Sequence, residues 1–398
     1  MASKLKALLE EESEHQWLAL GVFFLFVLVG AFAIEGTEQF VGDQLTPISA
    51  QHQGSMVMDI EYHDSNDSYT ALVYTPQAGY HLFTEHPSDN SATLVYSPDD
   101  NDQGRNVTFL KSMYDGDIML SIANNELTEL SSTTATTYIY SDQNGSFAIY
   151  DSSEQENGDL LLLTKEGQNT SFRGIFELKP TAPMSMTSGI QWQHVEAHSP
   201  GVWIGIGTHT TTSGTDGSSP ASPEPTPAIG WIKWDGGSQT PVMDRVKTFP
   251  SGLFHSIEPV PNGLIVGGTD YSYHINAKGD YQEIDARGVI AVADQEGAVW
   301  FVGEAGTSTI TQWSDGEIKK HLLSKQIPIS ATAGGSQGDF VHFHGMNAIG
   351  EPAQWSIDIQ ANGSIESGRG FLNLLFLLGG TFLMSMMAWT ALSRMRLE

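Results

Sequence analysis

Two long apolar runs, one near each end, enclose a chain of short alternating segments. The first, Trp17 to Ile34, carries no charge, and its 18 residues at about 1.5 Å of rise span roughly 27 Å, close to a hydrocarbon core of about 30 Å. The second, Phe371 to Leu392, has only Asn373 as a strongly polar residue, near one end. Both predict transmembrane helices, over 17–34 and 371–392. Between Glu35 and Gly370 no helical periodicity of useful length occurs. Apolar residues there alternate with polar ones or form short runs behind turn residues, as strands do.

Those strand-like runs repeat. Gly116-Asp-Ile-Met-Leu-Ser-Ile122, Gly158-Asp-Leu-Leu-Leu-Leu-Thr164 and Gly201-Val-Trp-Ile-Gly-Ile-Gly207 share a turn residue followed by an apolar strand. Gly263 to Gly268, Gly297 to Gly303 and Gly338 to Gly345 continue the series. With Ile118, Leu160, Val202, Leu264, Val299 and Phe340 as markers the spacings are 42, 42, 62, 35 and 41. The long interval contains Thr210 to Pro227, 18 residues with four prolines and no bulky apolar group. That composition predicts a disordered surface loop. Tyr69-Thr-Ala-Leu-Val-Tyr74 supplies a seventh, less regular member.

One repeat can be parsed completely. Gly288 to Ala293 reads as a strand, Asp294 to Gly297 as a turn, and Ala298 to Gly303 as the next strand. Thr307 to Trp313 and Glu317 to Leu323 follow, joined at Ser314-Asp315-Gly316, where Asp-Gly provides the positive φ of a tight hairpin. A period near 40 with four short strands per repeat is the signature of β-propeller blades. The expected fold is all-β, a single propeller of seven blades over residues 50–366, closed by pairing 50–62 with 353–366. A stacked β-sandwich is the alternative, most tempting for residues 55 to 112. Trp203, Trp231, Trp234, Trp300, Trp313 and Trp355 are expected to pack between blades. Gly297-Ala-Val-Trp-Phe-Val-Gly-Glu-Ala-Gly306 with Trp313-Ser-Asp-Gly316 resembles blades of secreted and membrane-anchored β-propellers, of the regulator and photosystem-assembly-factor kinds. That resemblance covers roughly residues 115 to 366. It implies a fold, with no functional residue to carry over.

Charge orients the chain. Lys4 and Lys6 precede the first apolar run, and Arg394 and Arg396 follow the second. This places the tails 1–16 and 393–398 in the cytoplasm, the linker 35–49 and the propeller outside the cell, and the protein integrally in the cell membrane. The competing reading is a signal peptide cleaved at Ala31-Phe32-Ala33, opposed by Glu10, Glu11, Glu12 and Glu14 where positive charge belongs. Net charge is −29. Setting aside the tails' four basic and five acidic residues leaves 14 basic against 42 acidic, or −28, outside. Such a surface repels nucleic acid and suits salt or cations. Zero cysteines exclude disulfides, so the fold rests on its own core. Sequons at Asn66, Asn106, Asn144, Asn169 and Asn362 permit glycosylation on that side.

Candidate chemistry is sparse. Asp99, Asn101 and Asp102 before Gly104 place oxygen ligands as a calcium loop begins, but Leu110 stands where an EF-hand needs glutamate. They are therefore a candidate calcium loop of simpler form, or an exposed turn; no other cofactor is expected. His194 and His198 have ligand-type spacing at a strand-to-turn junction, without the helix of a zincin. His342 and His344 share a strand face and make half a zinc site. No Gly-x-Ser-x-Gly elbow, Walker motif or Rossmann motif occurs. This favours a non-enzymatic module that binds protein, peptide or glycan on a propeller face. The alternative is a cell-surface hydrolase or lyase acting on polysaccharide. Carboxylates or histidines converging on a central channel would favour the enzyme. An apolar-aromatic rim would favour the scaffold.

Overall fold

The computed structural model describes residues 21–30, 41–42, 54–63, 68–76, 79–86, 91–96, 109–113, 117–123, 125–130, 135–140, 147–185, 189–210, 225–323, 326–359, 375–382, 385 and 389. It divides into two units, 43–356 and a second made of 1–42 with 357–398.

In the larger unit, period-2 strands joined by tight turns form four-stranded antiparallel sheets in sequence order. The first sheet is β2 (Met56–His63) to β5 (Ser91–Tyr96), and the second is β6 (Leu110–Ser112) to β9 (Ala135–Ile139). The third and fourth run from β10 (Ala148–Glu154) to β13 (Lys179–Pro180) and from β14 (Ile190–Ser199) to β17 (Val242–Thr248). The fifth and sixth run from β18 (Phe254–Val260) to β21 (Tyr281–Ile284) and from β22 (Ile290–Ala293) to β25 (Glu317–Leu322). The seventh sheet has the order β1 (Val41–Gly42), β28 (Pro352–Asp358), β27 (Phe340–Asn347), β26 (Ile329–Gln337). All seven sequence markers lie in the second strand of a sheet: β3 (Ser68–Thr75), β7 (Ile118–Ala123), β11 (Leu160–Glu166), β15 (Val202–His209), β19 (Gly263–Gly268), β23 (Val299–Val302) and β27. The Asp315-Gly316 hairpin has the positive φ values, 51° and 86°, that its sequence demands.

The expected closure is corrected. Among the described residues, Met56–His63 opens the first sheet instead of pairing with Pro352–Asp358, beside which Val41–Gly42 stands. Burial explains the choice. Fourth strands are mostly exposed, as Val242–Thr248 and Glu317–Leu322 are, whereas Val57 and Ile60 of β2 are buried.

The core lies between consecutive sheets rather than at one centre. Leu161, Leu163 and Phe172 pack on Trp192, Trp203 and Trp234 between the third and fourth. Ile204, Ile206 and Trp231 meet Phe254, Leu264 and Tyr273 between the fourth and fifth. All six tryptophans expected to pack between blades are buried. Each such side chain contributes about 1.5–3 kcal/mol of burial.

In the smaller unit, residues 21–30 and 375–382 are helical. Phe26 stacks on Phe376 with ring centroids 5.0 Å apart and planes 6° from parallel. A Cβ added at Gly379 would meet the Phe26 ring at 2.7 Å, and one at Gly30 would collide with the Phe376 ring. Each helix thus offers a glycine to the other's phenylalanine. Val22, Phe24, Leu25, Leu28, Leu377 and Phe382 are exposed. Among the described residues no helix is long and apolar enough to cross a membrane. The expected spans 17–34 and 371–392 extend beyond the described residues.

Candidate functional site

The first strands of the seven sheets face one cavity of about 700 Å³. They present their residues to it through a repeated irregularity. β2, β10, β14, β18 and β26 each break register with the second strand at the same place, after Val57, Ile149, Trp192, Phe254 and Ala331. An extra residue on one strand re-aims the side chains that follow. Three of the residues just past the break reach the next sheet. The amides of Leu110, Val195 and Ala291 donate to Asp59 Oδ2 (3.2 Å), Asp151 Oδ2 (2.8 Å) and Ser256 Oγ (3.1 Å). Asp59 and Asp151 each also accept from the amide of the following residue, Ile60 and Ser152. These side chains clasp one sheet to the next.

Two residues further along lies a second layer, one position per sheet: Glu61, Lys111, Ser153, Glu196, Glu258, Val292 and Gly335. Lys111 and Val292 follow the clasped amides of Leu110 and Ala291 as Glu196 follows Val195. Lys111 Nζ bonds Glu196 Oε2 at 2.7 Å and the carbonyl of Val195, and stands 3.5 Å from Asp151 Oδ1. Ser153 Oγ donates to Glu196 Oε1 at 3.0 Å, and Ser112 Oγ to Glu61 Oε2 at 3.2 Å. Among the described residues, Glu258 receives no hydrogen bond and makes no ion pair.

The electrostatics separate the carboxylates. Burial works to raise Asp151, but the Lys111 charge, His194 and the Val195 amide outweigh it and hold Asp151 below the usual range. Burial likewise opposes Lys111, whose pKa is nonetheless raised by Asp151 and Glu196. Asp59 is pushed up to about 6 by burial against the pull of two amides. Glu61 is pushed up to about 8 by burial and the neighbouring Asp59 charge. Glu258 lies well above its ordinary value through burial, with Glu61 and Glu196 adding repulsion. Asp151 is fully buried, whereas Asp59, Glu61, Lys111 and Glu258 are half-buried and keep some contact with water at the cavity.

No protein-family model and no curated protein sequence matches this chain. Solved structures do. A catalytically inactive virginiamycin B lyase from Staphylococcus aureus, with quinupristin, aligns with a TM-score of 0.53 and 15% identity over 77% of this chain and 96% of that one. The β-propeller domain of Myceliophteria thermophila Cps50 (Swd1) aligns at 0.52 and 8% identity over 76% and 97%. The chain is a seven-bladed β-propeller. At such identities the likeness carries the fold alone.

Within the propeller the residues singled out by sequence separate. Asp99, Asn101 and Asp102 lie outside the described residues, as do 211–224 of the expected loop. His194 lies within strand β14 and His198 one residue before its end, at the turn that leads to β15. They do not converge: His194 Nδ1 is 3.6 Å from Asp151 Oδ2 at the channel, whereas His198 Nε2 bonds the carbonyl of Asn276 at 2.7 Å. His342 and His344 are buried on β27, and burial lowers them to about 4 and about 3. Among the described residues no group of three or more His, Asp or Glu could hold a metal ion. Sequence reasoning missed Asp59, Glu61, Lys111, Asp151, Glu196 and Glu258. Their only signal is an ionisable residue in each of the first five blades' opening strands, which an acidic chain obscures.

Proposed function

We propose that this chain is a membrane-anchored, extracellular propeller that binds a protein, peptide or glycan ligand at its central channel. The observation that carries the reading is the 700 Å³ cavity, into which several blades direct ionisable side chains. Binding sites of this kind combine a preformed concavity with a few placed polar groups. Integral anchoring is supported by the two uncharged runs, by the exposed apolar side chains of the two helices, and by their reciprocal Phe–Gly packing, which suits helices in lipid. Tags on both ends of the full chain should survive protease added to intact cells while the middle is degraded. Degradation of either tag overturns the orientation. For the binding site, the full chain in detergent serves as bait for membrane extracts, beside a Lys111→Met/Glu196→Gln variant. Loss of the captured partner in the variant supports the channel; capture unchanged by it removes the channel from the reading.

A second reading, the hydrolase or lyase on polysaccharide, is favoured by one observation. Glu61, at about 8, holds its proton near Asp151, which stays ionised, and such divergent carboxyls suit acid–base work. Polysaccharide cleavage abolished by Glu61→Gln would establish it; a wild-type chain inert on polysaccharides would remove it.

A further inference from the structure

The channel wall is not uniform. Going round the second layer, the acid-bearing positions of blades 5 and 1 are separated by blades 6 and 7, which contribute Val292 and Gly335. Neither fills the space between Glu258 and Glu61, and the cavity runs along this side, touching β18, β22, β26 and β2. Its wall there is formed by Ile290, Val292, Ala333, Gly334 and Gly335, with Asp294 and Glu296 on the turn that follows β22. Gly334 is required by close packing, since a Cβ on it would meet Val292 Cγ2 at 2.6 Å. The arc is therefore an aliphatic slot with a carboxyl group at either end.

The remaining charges of the layer are already committed. Lys111 is held by Glu196, Asp151 and the carbonyl of Val195, so it makes no direct pair with Glu61 or Glu258, and the pull of its charge on them is outweighed by burial. Glu61 has a single hydroxyl donor, Ser112, and Glu258 has no donor among the described residues. A half-buried carboxylate in this condition has lost part of its hydration without gaining a partner, and an arriving cation would supply one. A bare metal ion is a poor candidate, because no described group of three ligand side chains can surround one. An anion would meet two carboxyls and no available cation.

We infer that the arc between Glu258 and Glu61 seats one organic cation, an ammonium or guanidinium on an aliphatic stem, such as a lysine or arginine side chain of the bound ligand. This rests on the reading of the channel as the binding site. The cation lies against the two carboxyls, and its stem lies along Val292 and Gly335.

Proton linkage gives the seat a signature. Burial raises both groups, Glu61 to about 8 with the Asp59 charge adding to the rise, and Glu258 with the Glu61 and Glu196 charges adding to it. A cation favours their ionised forms, so binding releases protons and strengthens as pH rises from 6 to 8. The other titratable groups at the cavity are Asp59, Lys111, Asp151, His194, Glu196, His255, Asp294 and Glu296. Of these, Asp59, raised to about 6, ionises in the lower part of the same range and adds to the trend. His255 is lowered by burial and by His194.

The test uses the full chain in detergent and calorimetric titration with acetyl-lysine amide and acetyl-arginine amide. Acetyl-norleucine amide serves as the uncharged control. The expected result is saturable binding of the cations at pH 8, at least tenfold weaker at pH 6, with proton release read from two buffers of different ionisation heat. Glu61→Gln/Glu258→Gln should lose binding at least tenfold, and Asp285→Asn on the exposed rim should change nothing. Glu258→Lys brings its own ammonium to the seat and should abolish binding while the melting transition remains. No saturable binding at pH 8, equal binding of norleucine, or binding unaffected by the double glutamine variant would overturn the inference. If the amides fail to bind while Lys111→Met/Glu196→Gln still loses its membrane partner, the seat falls and the channel stands. If capture is also unaffected, both fall.

Discussion

Two rings of side chains line the channel only two residues apart on the same strands, and they do opposite things. In the first, Asp59, Asp151 and Ser256 accept the amides of the neighbouring blades, so each acceptor has a partner fixed by the backbone. In the second, Glu61 and Glu258 have almost none, and burial pushes both above the usual carboxylate range. The chemical group is nearly the same in both rings. What differs is whether the bulge brings it level with an unpaired backbone N–H. A buried carboxylate supplied with amide donors is structural cement, while one deprived of them is a group waiting for a counterion.

The sharpest way to break the comparison is at Asp151. Removing this carboxylate in Asp151→Ala leaves the Val195 amide without its acceptor and Lys111 with Glu196 as its remaining counter-charge, at a cost of about 3–5 kcal/mol. In a domain this large that corresponds to a drop of roughly 6–10 °C in melting temperature by calorimetry. A drop of only a degree or two would mean that Lys111 relaxes into water and that the first ring is not structural.

Glu61→Gln should act in the other direction. The folded state keeps a proton on Glu61 up to about 8, whereas the unfolded chain releases it near 4.5. The folded form therefore binds more protons between those values, and stability falls as pH rises through them. The variant removes that fall. Its melting temperature should match the wild type near pH 4.5 and exceed it by a few degrees at pH 8. Parallel curves would show that Glu61 is ionised and satisfied.

Ser256→Ala is the mildest probe. It deletes the neutral clasp to Ala291, and a cost of about 1 kcal/mol is expected, measured by denaturant midpoint at constant m-value. An effect as large as that of Asp151→Ala would erase the distinction between charged and neutral clasps.

The blades were legible in the sequence and the rings were not. A glycine turn followed by an apolar run marks each second strand, because that strand is buried on both faces and has little freedom of composition. The opening strands have no such constancy. After the bulge the channel-facing position holds Asp59, Asp151, His194, Ser256 or Ala333, and nothing short of the pairing register aligns them. His194 drew attention through its spacing from His198, yet its carboxylate neighbour is Asp151, in the preceding blade. The closure was misplaced for a related reason: Met56–His63 alternates like any exposed strand until its acids are seen to face a channel. The candidate calcium loop at Asp99, Asn101 and Asp102 lies outside the described residues; of the two histidine pairs, His194 and His198 are drawn apart, while His342 and His344 stay neighbours on β27.

The clasps also provide a built-in gauge of how the ring comes apart. The opening strand of a blade pairs on one side only, and amides on its free side ordinarily exchange with solvent deuterium as fast as water reaches them. Leu110, Val195 and Ala291 instead have acceptors in the preceding blade. Their exchange requires separation of two blades, whereas exchange in a second strand requires the sheet itself to open. Comparing the two classes residue by residue would distinguish a ring that gapes at its seams from one whose blades fray individually.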